Sequence, residues 1–435
     1  MSETTDITAA VLGAPQYVSP LRLAADCNDI VCNFVADAAR VRFQAEIDTG
    51  HDEPDLLFEK AGPRAKIFFQ PARTRAAIVT CGGLCPGLNN VIRSAFLELR
   101  HNYGVPDVLG IRYGYQGLNP DTAAPPVKLT ADFVDDIHTD GGTALGSSRG
   151  QQPAEVMVDY LQREKIDILL CVGGDGTQRG AHGIAAEVRK RGLPLAVVGI
   201  PKTIDNDICY IRQSFGYFTA IEKAREVLAC AHNEAKGAPN GIGLVKVMGR
   251  DAGFIAAGAT LASQEVNFTI IPEVPFRLDG ENGFLSVLHR RIQSRGHAVI
   301  VLAEGAGQDL LPTGADAFDA SGNKLHKDIG PFLRDRIAAY FKERKVPVNI
   351  KYMEPGYFIR GVPADAEDSL LCDQFARHAV HAAMAGKTDM LVGHWSGYFI
   401  HVPIAMAVAK KRNINPGRPL WNSVIAATGQ PRQWE

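Results

Sequence analysis

RAAIVTCGGLCPG, residues 75–87, begins as a short apolar run and closes on a turn dense in glycine. Leu88, Val91, Ile92, Ala95, Phe96 and Leu99 follow at i, i+3, i+4, i+7, i+8 and i+11, which is one face of a helix. The same strand, turn and helix recur downstream. IDILLCV (166–172) runs into GGDGT (173–177) and a helix expected through Lys190, and PLAVVGI (194–200) runs into PKTIDND (201–207). Further strands are expected at IGLVKV (242–247), FTIIP (268–272) and HAVIVLAEG (297–305). Continuous apolar strands alternating with amphipathic helices belong to parallel sheets covered on both faces. The expected class is therefore α/β: two doubly wound, Rossmann-like domains with mainly parallel sheets. Residues 1–72, with acidic patches and prolines but no glycine-rich turn, read as an N-terminal extension. Ligands of such sheets bind at the carboxyl ends of the strands, where these loops lie.

Composition narrows the function classes. The chain has 435 residues, 46% hydrophobic and 22% charged, enough for two or three cored domains. A formal net charge of −2 argues against a nucleic-acid binder, which needs a basic face. Cys27, Cys32, Cys81, Cys85, Cys171, Cys209, Cys230 and Cys372 are scattered, with no second pair at ligand spacing to complete a zinc site, so free thiols are expected. The N-terminus lacks a basic stretch followed by an apolar core, and no apolar run is long enough to span a bilayer. A cytoplasmic protein that binds no membrane is the expectation.

The loops carry the chemistry. No G-x-x-x-x-G-K-[ST] occurs, since His381 stands five before Gly386-Lys387-Thr388, and no G-x-G-x-x-G follows a strand. Any phosphate must be held by other glycine loops. GGLCPG joins a strand to a helix, where exposed amides and the helix dipole suit an anion, although a plain tight turn explains it as well. In GGDGT, Asp175 is placed to hold Mg²⁺ beside phosphate oxygens; the bland alternative is an Asp capping the next helix. In PKTIDND, Asp205 and Asp207 would share one side if the segment stayed extended, one as base for a substrate hydroxyl, the other orienting metal or backbone. An Asx-rich turn is the alternative, and it leaves the preceding Lys202-Thr203 unexplained.

GGLCPGLN, GGDGT, PKTIDND, MGRDAGF (248–254), AEGAG (303–307) and GYFIRG (356–361) occur in the order seen in 6-phosphofructokinases, and residues 75 to the early 400s resemble that family. The variants are more similar to the plant, trypanosomatid and pyrophosphate-using subgroup than to the short bacterial enzymes. The resemblance implies a phosphoryl-donor domain over 73–215, completed by 360–420, a sugar-phosphate domain over 216–359, and a tail over 421–435. It implies donor contacts from Gly83, Arg149 (in GGTALGSSR, 141–149), Gly174, Gly176, Thr177 and Lys202, with Asp175 on Mg²⁺. Asp205 would be the base for the sugar's 1-hydroxyl, with Thr203 and Asp207 beside it and Arg149 stabilising the transferring group. Met248, Gly249, Arg250, Glu304, Lys351, Tyr357 and Arg360 would hold the sugar phosphate. Two family arginines are replaced here, by Gly241 and by Lys351; the lysine keeps a point charge without the bidentate fork.

The implied activity is ATP-dependent transfer to fructose 6-phosphate, by a homodimer or homotetramer. Gly176 reads as ATP-using, because pyrophosphate-using relatives usually carry aspartate there; Lys202 is shared with those relatives and tolerates either donor. Pyrophosphate as donor is the alternative, and a non-catalytic regulatory subunit a remoter one. An NAD or lipid kinase would account for GGDGT but not for PKTIDND or MGR.

Overall fold

The computed structural model describes residues 4–24, 33–44, 55–312 and 326–434. Cys27 and Cys32 lie outside them; Cys81, Cys85, Cys171, Cys209 and Cys372 are buried free thiols and Cys230 is an exposed one.

The first sheet has seven strands in the order Tyr398–Pro403, Met390–Trp395, Ala196–Pro201, Ile168–Gly173, Arg75–Thr80, Asp107–Ile111, Val127–Lys128. The five central strands are parallel and the two edge strands antiparallel. Every residue of Ile168–Gly173 and Ala196–Pro201 is buried, as the unbroken apolar runs require of strands covered on both faces. The chain first moves to one side of Arg75–Thr80 and then returns to the other. The strand order thus reverses between Arg75–Thr80 and Ile168–Gly173, and the 81–87 and 173–177 loops open there.

The second sheet is all parallel, in the order Phe268–Ile270, His297–Ala303, Gly241–Val247, Asn349–Met353. Helices Tyr217–Lys236, Phe254–Ser263, Phe284–Arg295 and Ile329–Glu343 accompany it. The expected fold class is found: two α/β units with mainly parallel sheets.

The N-terminal residues cover an edge. Thr4–Ile7, Asp55–Glu59 and Arg40–Arg42 form a small sheet beside Tyr398–Pro403, and the Ala61 amide donates to Phe399 O. An edge strand left bare would be a template for pairing with another chain. At this joint Glu59, 2% exposed, meets Arg64 Nη2 (3.2 Å), Lys387 Nζ (2.7 Å) and His401 Nδ1 (3.4 Å). Burial pushes its carboxyl up, but His401 and Lys387 outweigh that and hold it well below the usual carboxylate range.

Asp368, on helix Ala366–Met384, accepts from both the amide (2.7 Å) and the hydroxyl (2.6 Å) of Thr219, so it caps helix Tyr217–Lys236 from another element. The residue is fully buried, and burial pushes its carboxyl up to about 6 despite the two donors. A carboxyl raised on folding favours the protonated chain. Its contribution is complete below about pH 4, the unfolded value, and is lost as pH rises through 6. Wild type should therefore lose roughly 2–3 kcal/mol between pH 4 and 7 relative to Asp368→Asn. Urea unfolding of both proteins across that range checks this; parallel stability curves would remove Asp368 as the source.

Candidate active site

The carboxyl ends of both sheets open on one cavity of about 550 Å³. From the first sheet come the loops after Thr80, Gly173 and Pro201; from the second come those after Val247, Ala303 and Met353.

The 81–87 turn hands the chain to helix Leu88–Leu97 through Gly87, at φ 100°, where a Cβ would sit 2.4 Å from Cys372 Sγ. Only glycine fits both the left-handed backbone and that approach. Gly82 is tied to the 147–149 segment by its amide on Ser148 O (3.0 Å) and by the Ser147 hydroxyl on its carbonyl (2.6 Å). A Cβ on Gly83 would lie 3.6 Å from a guanidinium nitrogen of Arg149 and equally far from one of Arg360. Those two arginines thus stand over the same loop. Lys202, 5% exposed, donates from Nζ to Gly83 O at 2.5 Å; burial pulls the ammonium below the usual lysine range.

Gly174 is the N-cap of helix Asp175–Lys190 and Asp175 its first residue. The Asp175 carboxylate makes no cap; it pairs with Arg179 Nε at 3.0 Å. Thr177 turns its carbonyl to the Tyr115 hydroxyl (2.6 Å).

Of the two forms open to the 203–207 segment, extended or Asx-rich turn, the structure has the turn, with Asn206 at φ 53°. Asn206 tolerates that conformation because its side chain closes the loop: Oδ1 accepts from the Ser214 amide (3.0 Å) and Nδ2 donates to Arg212 O (3.1 Å). Asp205 and Asp207 still line the same cavity. The Thr203 hydroxyl donates to Asp207 Oδ1 (2.9 Å) and accepts from the Asp205 amide (3.2 Å). Asp205 Oδ1 is buried without a hydrogen-bond partner. Burial, then repulsion from Asp207 and Glu304, push the Asp205 carboxyl well above the usual carboxylate range, with Arg250 and Lys411 opposing.

Met248, Arg250, Glu304, Tyr357 and Arg360 line the opposite wall. Gly249 does not; at φ 133° it shapes the loop, its carbonyl accepting from the Gly305 amide at 3.2 Å. A Cβ on Gly305 would fall 1.7 Å from Arg250 O, so the two loops stack backbone on backbone. Lys351 is not brought to this cavity: it lies inside strand Asn349–Met353, short of the carboxyl end where the cavity opens, with Nζ 3.8 Å from Glu234 of helix Tyr217–Lys236. The motifs did not mark Ser148, Gln151, Glu354 and Lys411, which also line the cavity. Lys411 comes from a charged stretch, AKKRN (409–413), with no glycine turn to single it out.

Among the described residues, no group of three or more His, Cys, Asp or Glu is close enough to hold a metal unaided. Mg²⁺ needs less: one or two carboxylates, with phosphate and water oxygens completing the octahedron. Asp175 and Asp207 in one cavity offer the one or two carboxylates that suit a cation arriving with its phosphates, and leave the unpartnered Asp205 Oδ1 for another role.

A family model described as phosphofructokinase matches residues 75–383. The chain belongs to the phosphofructokinase family. An ATP-dependent 6-phosphofructokinase of Borreliella burgdorferi is 50% identical over 408 residues, covering 92% of this chain and 91% of that protein. One from Amycolatopsis methanolica is 43% identical over 440 residues (99% and 96%), and ATP-dependent 6-phosphofructokinase 7 of Arabidopsis thaliana is 47% identical over 376 (86% and 77%). Among solved structures, a pyrophosphate-dependent phosphofructokinase from Marinobacter aquaeolei superposes with TM-score 0.67 at 20% identity (83% and 92% covered). Phosphofructokinase from Saccharomyces cerevisiae gives 0.63 at 23% identity (82% and 47%). These phosphofructokinase structures share the fold. No helix among the described residues is long and apolar enough to cross a membrane.

Proposed function

We propose that the chain is an ATP-dependent 6-phosphofructokinase, moving the γ-phosphoryl group of ATP to the 1-hydroxyl of fructose 6-phosphate and yielding fructose 1,6-bisphosphate and ADP. The observation that carries the reading is one cavity in which glycine loops, five cationic side chains and the Asp205–Asp207 pair converge from both sheets. Phosphoryl transfer needs little covalent help and much positioning and charge neutralisation.

Asp205 takes the proton of the 1-hydroxyl as that oxygen forms its bond to the γ-phosphorus and the bond to the β–γ bridging oxygen breaks. A raised carboxyl suits the role, since a base works best with a proton affinity near the operating pH. Thr203 and Asp207 hold its loop. Gly83, Gly174, Gly176 and Thr177 cradle the donor, with Lys202 bracing the first loop from beneath. Arg149 meets the transferring group, while Met248, Arg250, Glu304, Tyr357 and Arg360 take the sugar phosphate. Asp175 and Asp207 would hold Mg²⁺, which when bound neutralises donor phosphate charge. Lys351, outside its own chain's cavity, could serve substrate only across a subunit contact in a homodimer or homotetramer.

Initial rates of the purified protein with fructose 6-phosphate and Mg²⁺, comparing ATP with pyrophosphate, test the reading. Turnover with ATP alone is expected. Turnover with pyrophosphate alone would overturn the donor assignment and shift its weight from Gly176 to Lys202.

A further inference from the structure

The C-terminal segment 408–414 lies past the last residue matched by the family model, yet it is bonded to two of the motif loops and to Arg179, the partner of Asp175 in a third. Arg179, partner of Asp175, donates from Nη2 to Val408 O at 2.5 Å. Lys411 pairs as an antiparallel bridge with Ile208. The Arg412 amide donates to Asp207 O (2.8 Å), and Arg412 Nη1 reaches the carbonyls of Asn206 (3.3 Å), Ile211 (3.1 Å) and Arg212 (2.8 Å). Glu273 joins the Ile414 amide (2.8 Å) to the Gly253 amide (3.0 Å) behind the MGR loop. The backbone that carries Lys411 is therefore held to the loop that carries Asp205.

The side chain of Lys411 is placed as tightly. Its ammonium donates to Asp251, the residue after Arg250, and Asp251 also stands 3.3 Å from His326 Nε2. An ammonium has three donors and Asp251 takes one. The Lys411 side chain lines the cavity and interacts electrostatically with Asp205, Asp207 and Asp175. A lysine needed only to balance Asp251, which already faces His326, has no reason to enter the cavity. The other cations are distributed differently: Arg149 and Arg360 stand over Gly83, and Lys202 lies under it. Lys411 and Arg250 line the same cavity as Asp205 and act electrostatically on its carboxyl.

We propose that Lys411 is a further catalytic residue, its ammonium donating to a non-bridging oxygen of the transferring phosphoryl group while Asp251 holds it in place. The inference rests on the phosphofructokinase reading above. The lysine keeps its protons throughout; it stabilises charge that spreads over the phosphoryl oxygens in transit, and such preorganised donors act chiefly on kcat.

Lys411→Met is expected to lower kcat with ATP by about 100-fold, with KM for fructose 6-phosphate changed by less than about threefold. Lys411→Arg should recover at least about a tenth of wild-type kcat, because a cation returns without the original geometry. Lys410→Met, at the exposed neighbouring position, should behave as wild type. Thermal melting of each variant is read beside the kinetics. Wild type inactive with ATP would sink the phosphofructokinase reading itself. Wild type active but Lys411→Met within about threefold of its kcat would overturn the role of Lys411 alone. Equal losses in the Met and Arg variants, together with a lowered melting temperature, would also overturn it, marking Lys411 as a tie in the strap. If Lys411→Met does not fold, restoration of kcat in Lys411→Ala by added ethylammonium decides, and its failure counts against the proposal.

Discussion

Asp205→Ser is expected to lower kcat by about 10²–10⁴-fold and to leave KM for fructose 6-phosphate within a few-fold of wild type. The asymmetry follows from what Asp205 does and does not touch. Its amide is bonded to the Thr203 hydroxyl, an interaction that serine keeps, and its Oδ1 is buried with no partner in the protein. Nothing in the fold depends on that oxygen. Removing the carboxylate also relieves its repulsion with Asp207 and Glu304, so the variant should be no less stable than wild type. On the proposed reading the sugar phosphate would keep Arg250 and Arg360, which line the cavity, and with them most of its charge neutralisation. What is lost is the proton acceptor in the transition state, worth a fall in kcat and kcat/KM together. The pH profile carries the same signature. A carboxyl raised by burial and like charge must ionise to act, so wild-type kcat/KM should climb with pH through a range above the usual carboxylate value, and that limb should be absent in the variant. Steady-state kinetics from pH 5 to 9 decides it; near wild-type turnover in Asp205→Ser would mean that another group takes the proton.

Much of this site was legible because its parts lie where chain direction reverses. GGLCPG, GGDGT and PKTIDND each follow an apolar strand, and a parallel sheet delivers all its carboxyl ends to one rim. Local reading placed the loops; only family order assigned the catalytic roles. What stayed hidden is instructive in physical terms. Period-two spacing in an extended 203–207 segment is one simple way to bring two carboxylates together. Asn206 and Ser214 supply another, a left-handed turn closed by side-chain hydrogen bonds across eight residues, which no window of that length reveals. Lys351 sits inside a strand, short of the carboxyl end and beside Glu234, a matter of register that composition cannot give. Lys411 reaches the cavity through a strap of backbone bonds to residues some 200 positions earlier, with no local pattern of its own.

Gly176→Asp should cost about 10²–10³-fold in kcat/KM for ATP while leaving the protein folded, and the contrast among the three loop glycines explains why. Gly173 is demanded by the fold: a Cβ there would lie 2.2 Å from the Thr177 hydroxyl. Gly174 is the N-cap, with the Lys202 carbonyl 3.2 Å from where its Cβ would be. Gly176 has neither constraint. It is the second residue of helix Asp175–Lys190, its φ is not in the left-handed region, and a Cβ on it would meet nothing within 4 Å. Glycine inside a helix costs about 1 kcal/mol relative to alanine, so packing gives no reason to keep it. The remaining reason is the cavity it lines, where on the proposed reading a side chain would enter the space of the donor. Alanine at 176 should therefore raise the unfolding free energy by about 0.5–1 kcal/mol and weaken ATP use only modestly. Aspartate adds a charge beside Asp175, next to a polyphosphate, and an acidic residue in the first helical turn suits the macrodipole, so its stability should not suffer. Melting curves and ATP kinetics on the two variants separate the effects. If Gly176→Asp keeps kcat/KM for ATP within about tenfold, bulk and charge at this position do not select the donor, and the selection passes to Lys202 and the loop it braces.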